Sequence, residues 1–171
     1  MMITVFIPRK SGVIKLDAVD YFKIKKDGWS FTISKKHNVS PPYLVAMITK
    51  RINGRSKHRS LAREILNLNG DLVADHISRE TLNNKRSNLR ATTRLQNSQN
   101  LMTKTGSSKY KGVTYKKEKR HKANPWVAYI NINKERKHLG VFKNEVDAAS
   151  AYNAAALKNF GEYAYLNEIA P

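Results

Sequence analysis

Residues 71–100 read DLVADHISRETLNNKRSNLRATTRLQNSQN, and this stretch decides the fold of the first half of the chain. A short apolar run, Leu72–Ile77, predicts a strand that delivers the pair Asp75-His76. A polar loop carrying Asn83, Asn84 and Asn88 follows, then a second short strand, Leu89–Thr92. Thr93-Arg94-Leu95-Gln96 has the T-x-x-Q spacing of a capping box, so a helix should begin there and carry Asn97 and Asn100 on one face. The order is strand, loop, strand, helix. It aims one carboxylate, one imidazole and one carboxamide at a common point.

Those residue types suit phosphodiester hydrolysis. Asp and Asn supply the hard oxygen ligands that Mg²⁺ prefers (Mn²⁺ being the alternative ion), with waters and phosphate oxygens filling the other positions. An imidazole beside the ion can take a proton from the attacking water near neutral pH. One divalent ion can also stabilise the charge on the phosphate and the leaving oxygen. The plain alternative is a β-hairpin with a capped helix, in which Asp-His is a surface pair and the asparagines only shape turns. The whole constellation, rather than the dipeptide, favours the chemistry.

The pattern D-H-I-x₅-N-N-x₃-N-L-R-x₆-N resembles the ββα-metal (HNH, His-Me finger) site of the HNH homing endonucleases, common in phage genomes and mobile introns. In that pattern the histidine is followed 12 residues on by the asparagine of N-L-R and 9 later by His or Asn, which here are His76, Asn88 and Asn97. The resemblance implies His76 as general base and Asp75 and Asn97 as metal ligands, with Asn88 pinning the loop and orienting His76. His58-Arg59-Ser60-Leu61-Ala62 resembles the family's H-R-L helix start, so the likeness covers roughly residues 14–100. Zinc-stapled relatives use paired cysteines. This chain has none, so no zinc–cysteine site is expected and the unit must hold by packing.

The chain has 171 residues and a formal net charge of +19, enough length for one ordinary domain or two small modules. Such a charge attracts polyanions, which means nucleic acid or an anionic membrane surface. The excess is shared: residues 1–100 carry 19 Lys/Arg against 7 Asp/Glu, and residues 101–171 carry 13 against 6, so both halves should meet the same polyanion. No run approaches the roughly 20 apolar residues of a membrane span. No basic amphipathic helix carries a bulky apolar face, which argues against a membrane-surface role. Met1–Ile7 lacks a basic lead-in and a small-residue cleavage site before Arg9 and Lys10, so no secretory signal is expected. The absence of cysteine fits a protein of the cell interior, bound to DNA there.

Before residue 58 the pattern is mostly β. Gly28–Ile33 alternates as a half-buried strand does, Pro41-Pro42 breaks the chain, and Tyr43–Ile52 is a second extended run ending at the turn signal Asn53-Gly54. Leu61, Ile65 and Leu68 repeat at helical spacing over Arg59–Leu68. His37 sits in a polar loop as a solvated residue, and His58, just ahead of that helix, is read as an anchor of structure.

Met102–Lys109 is rich in Ser, Thr, Gly and Lys and reads as a linker, giving domains at 1–101 (ββα core 71–101) and 110–171. The second half predicts three strands, Lys109–Lys116, Trp126–Ile132 and Arg136–Phe142, and an Ala-rich helix, Ala148–Lys158, capped at Asn144 and stopped near Gly161. The fold class is therefore α+β: the ββα module, then a three-stranded antiparallel sheet packed on one helix. Trp126, Ala128, Ile130 and Ile132 should face that helix. Leu139 and Val141 are expected on one side of the third strand and Arg136 and His138 on the other, leaving a polar, basic, aromatic-bearing face without cover.

Y-K-G-V (Tyr110–Val113), W-V-A-Y-I (Trp126–Ile130), H-L-G-V-F (His138–Phe142), A-A-S-A-Y-N-A-A-A (Ala148–Ala156) and Tyr165-Leu166-Asn167 resemble, in order and spacing, the Apetala-two domain of plant ethylene-response factors. That family lays its sheet in the DNA major groove. The resemblance implies a DNA-facing set of Lys111, Thr114, Lys116, Tyr129, Asn131, Arg136 and His138. The plant pattern has Arg at several of these positions, and Thr114, Asn131 and His138 depart from it. Arginine paired with guanine is the commonest base contact, so the plant sequence preference does not transfer. The resulting expectation is a metal-dependent, site-specific homing-type endonuclease acting on double-stranded DNA as a monomer. The alternative is a catalytically inactive DNA-binding regulator.

Overall fold

The computed structural model describes residues 1–8, 12–36, 43–102, 107–117 and 123–169. His37, the Pro41-Pro42 break and residues 103–106 of the 102–109 linker lie outside the described residues. The architecture is mixed α+β with four antiparallel sheets among the described residues, two of two strands and two of three. The chain forms two compact units, Met1–Asn97 and Ser98–Pro171. The division falls ahead of residue 101 because Gln99 already bonds within the second unit, its carbonyl accepting the Tyr165 N–H at 3.2 Å.

The first unit opens with β1 (Met2–Ile7) paired to β2 (Gly12–Asp17), whose Ile14 and Leu16 are fully buried. α1 (Ala18–Lys26) follows, a helix inside the region read from sequence as mostly β. Only Asp20 and Ile24 of α1 are buried while Val19 and Phe22 face out, so no clean apolar stripe announces it. End charges favour it instead: Asp20 in the first turn and Lys23, Lys25 and Lys26 in the last complement the helix dipole.

β3 (Ser30–Lys36), β4 (Tyr43–Ile52) and β5 (Arg55–Ser60) form one sheet in that order. Asn53 and Gly54 join β4 to β5 with φ of 49° and 74°, the left-handed pair a tight hairpin turn demands. β5 corrects the helix expected from Arg59. Arg59 pairs with Ile48 and His58 with Thr49, so α2 spans only Leu61–Ile65. Arg63 donates to the carbonyls of Leu68, Gly70 and Leu72 and so fixes the approach to the next strand. The core gathers Ile14, Leu16, Ile24, Trp29, Ile33, Ile48, Leu61, Ile65 and Leu89.

β6 (Val73–His76) and β7 (Leu89–Thr92) then pair from Val73↔Thr92 to His76↔Leu89, and α3 (Arg94–Asn100) follows. The capping box is present in both directions. Thr93 N–H donates to Gln96 Oε1 at 2.9 Å, and Gln96 N–H donates to Thr93 Oγ1 at 3.2 Å.

In the second unit, β8 (Val113–Tyr115), β9 (Trp126–Ile132) and β10 (Glu135–Phe142) lie in the order β10-β9-β8. α4 (Glu145–Phe160) buries Ala148, Ala149, Tyr152 and Ala156, and the three small alanines let it lie close to Val113, Ala128 and Ile130. β8 is shorter than the expected Lys109–Lys116 because Lys111 is held in a turn. Its N–H donates to Asn167 Oδ1 at 2.7 Å and its carbonyl accepts from Asn167 Nδ2 at 3.1 Å. Gly112 follows with φ of 78°, where a Cβ would sit 2.1 Å from the Tyr152 ring. A register shift between His138 and Gly140 separates Leu139 from Val141. Leu139 packs on the core, while Val141 pairs with Val127 on the other face, against the expectation that the two share a side.

Candidate active site and nucleic-acid interface

The β6–β7 hairpin and its loop gather Asp75, His76, Asn84, Asn88 and Arg90. Asp75 stands directly opposite Arg90 in the register, and both are largely withdrawn from solvent, with side chains 4% and 12% exposed. Nε and Nη2 of Arg90 both reach Asp75 Oδ2 at 2.8 Å. The next residue, His76, has its Nε2 at 3.2 Å from Asn84 Oδ1. Burial lowers the His76 pKa below the ordinary imidazole value, outweighing the Asn84 hydrogen bond and the Asp75 charge, which both raise it. The ring is therefore predominantly neutral at pH 7, the form a general base needs.

Asn88 lies in a 3₁₀ turn just before β7 and is buried. Its Oδ1 accepts the Ser78 N–H at 2.9 Å, its Nδ2 donates to the Asn83 carbonyl at 2.8 Å, and its own carbonyl accepts the Ile77 N–H. Both ends of this amide are thus engaged on loop backbone. The asparagine on the His76 ring is Asn84, to which the motif spacing assigns no role.

The loop is tied to the front of the unit. Arg86 holds buried Asp20 bidentately at 2.9 and 2.7 Å, and its N–H donates to Asp17 Oδ2. Lys15 N–H donates to the Leu82 carbonyl, and Asn84 N–H to the Lys15 carbonyl. Asp17 and Asp20 carried no motif signal, since they lie 66 or more residues from Arg86 in sequence.

Asn97 is on α3, half-buried, one turn after Thr93, whose carbonyl accepts its N–H. Asp75 and Asn97 are oxygen donors and by chemistry fit Mg²⁺, which keeps most of its shell as water and phosphate. Among the described residues no three of His, Cys, Asp and Glu gather as a metal cluster.

In the second unit the register places Thr114, Val127 and Val141 on one face with Tyr129 and His138, and with Asn131 and Arg136. Asn131, Arg136 and His138 are exposed, and Thr114, Lys116 and Tyr129 are half-buried. The Arg136 guanidinium lies 3.9 Å from the Tyr129 ring centroid, and His138 meets the same ring edge-on at 5.3 Å. Lys111 is placed differently from the other six. Its Nζ donates to the carbonyls of Gln99 and Leu101 at 2.8 and 2.6 Å and lies near the Tyr165 ring.

With this geometry in hand, comparison with known proteins adds two likenesses. The chain is 41% identical over 99 residues to an uncharacterized HNH endonuclease of Acanthamoeba polyphaga mimivirus, covering 58% of this chain and 49% of that one. It is 41% identical over 64 residues to APETALA2-like protein 2 of Oryza sativa, in both the indica and japonica subspecies, covering 36% of this chain and 14% of the rice protein. The chain thus spans about half the length of the viral relative and a small part of the rice one. No family model matches it, and no solved structure does.

Proposed function

We propose that this chain is a divalent-metal-dependent, homing-type HNH endonuclease that hydrolyses phosphodiester bonds in double-stranded DNA, with the sheet of its second unit lying in the major groove. The observation that carries the proposal is the His76 ring, kept neutral by burial beside Asp75 and held at Nε2 by a buried amide. The likeness to the viral endonuclease and to the rice protein, and the shared positive charge, support the same reading.

His76 takes a proton from the attacking water. Asp75 and Asn97 would hold the ion, which when bound supplies charge stabilisation at the phosphate and the leaving oxygen. Arg90 restrains the Asp75 carboxylate. Arg136, stacked on Tyr129, presents a guanidinium whose aromatic support limits its freedom before contact. Lys116, Asn131 and His138 complete the groove-facing set, with Thr114 beside them.

A second reading, a DNA-binding protein that does not cut, draws on the Arg90–Asp75 ion pair, which already neutralises the carboxylate a metal would use. A duplex library incubated with the protein in Mg²⁺ or in chelator decides between them. Nicks that appear only with Mg²⁺ support the endonuclease. Retained duplexes without nicks at any Mg²⁺ or Mn²⁺ concentration would leave only the binding protein.

A further inference from the structure

We propose that Asn84 is a positioning residue that fixes the tautomer of His76, so that Nδ1 is the ring nitrogen that accepts the proton. The proposal rests on His76 acting as the base. It starts from the Asn84 side chain, which is fully buried, with its amide oxygen 3.2 Å from His76 Nε2.

Which end of an amide faces the ring is settled by its other partner. Asn84 Nδ2 lies 3.4 Å from the Thr81 carbonyl, so the amino end has an acceptor there. A flipped amide would press its oxygen against that carbonyl oxygen in a site closed to water, a repulsion without compensation. The oxygen therefore faces the ring. An amide oxygen only accepts, so Nε2 must carry the hydrogen, and the neutral ring then has its lone pair on Nδ1.

Rigid elements hold the amide in place. The Asn84 N–H donates to the Lys15 carbonyl on β2 at 2.7 Å, and the Thr81 hydroxyl donates to the Leu44 carbonyl on β4. A ring free to exchange tautomers would present the wrong nitrogen part of the time. One locked by a buried acceptor avoids that penalty at each turnover.

The test is long-range ¹H–¹⁵N correlation of the His76 ring in the full chain, without metal, at pH 9. The proposal expects Nε2 in the position of a protonated ring nitrogen and Nδ1 in that of an unprotonated one. Asn84→Leu should abolish that preference. Alongside, Asn84→Leu should cut single-turnover cleavage about 10–100-fold with DNA affinity unchanged, the cost that losing the hydrogen-bond partner of a working imidazole has at metal sites. A wild-type ring protonated at Nδ1 would overturn the proposal, and so would an Asn84→Leu ring still protonated at Nε2. If Asn84→Leu does not fold, the wild-type spectrum still decides. A wild-type protein with the expected tautomer that cuts no DNA would sink the endonuclease reading and leave the Asn84–His76 pairing intact.

Discussion

Replacing Arg90 with Met should separate the structural from the chemical role of Asp75. Met keeps much of the apolar stem and removes both N–H groups that reach Asp75 Oδ2 at 2.8 Å. At that distance, with an effective dielectric of about 20, the direct attraction is about 6 kcal/mol before desolvation is subtracted. Removing one partner of a pair this buried leaves a carboxylate without its countercharge, which costs about 3–5 kcal/mol. With a urea slope of about 2 kcal/mol/M, the midpoint should fall by about 2 M. Trp29, buried in the first unit, reports this unfolding once Trp126 is replaced by Phe. A divalent ion held at Asp75, as proposed, would supply the missing positive charge. Mg²⁺ should therefore return more stability to Arg90→Met than to the wild type, about 2.7 kcal/mol at a hundred times its dissociation constant. A variant within about 0.5 kcal/mol of wild type, the spread of ordinary surface substitutions, would refute the energetic reasoning. An equal gain from Mg²⁺ in both proteins would refute the placement of the ion.

Four further outcomes follow from the same structure. Gly112→Ala puts a Cβ 2.1 Å from the Tyr152 ring and 2.6 Å from the Tyr129 carbonyl at a φ of 78°, so thermal unfolding of the second unit should show a loss of about 2–5 kcal/mol. His76 has a native pKa below its unfolded value of 6.5, so the unfolded chain binds the extra proton first as pH falls. Wild-type stability in chelator should accordingly drop from pH 6.5 downward until the native ring also protonates, and His76→Gln should flatten that drop in urea titrations. Lys111→Met should destabilise the second unit by about 1–2 kcal/mol, since its ammonium serves two carbonyls, without changing the salt slope of DNA binding. Lys116→Met or Arg136→Met should instead make that slope shallower, by about 0.9 for each phosphate no longer neutralised.

What the sequence disclosed was whatever local chemistry controls. The Thr93/Gln96 capping box, the Asn53-Gly54 turn and the bounds of β4, β7 and β9 could be read directly, because each depends on residues within a few positions of one another. α1 escaped because it is held by end charges and two buried residues rather than by an apolar stripe. The β10 register shift escaped because strict alternation assumes no extra residue, and the shift moves Val141 to the opposite face. At the candidate site, spacing marked Asp75, His76, Asn88 and Asn97. It could not reveal that Asn84, eight residues from His76, contacts the ring while Asn88 serves the loop backbone. Nor could it pair Arg86 with Asp20, a contact set by tertiary packing alone.

As the proposed general base, His76 should act on water and contribute little to DNA affinity. This is tested most directly by single-turnover cleavage of a selected duplex by wild type and His76→Ala in Mg²⁺, with dissociation constants measured on the same duplex in chelator. The variant should bind with equal affinity and cleave about 10²–10⁴-fold more slowly, the usual cost of losing a general base. Cleavage by His76→Ala at the wild-type rate would contradict that role.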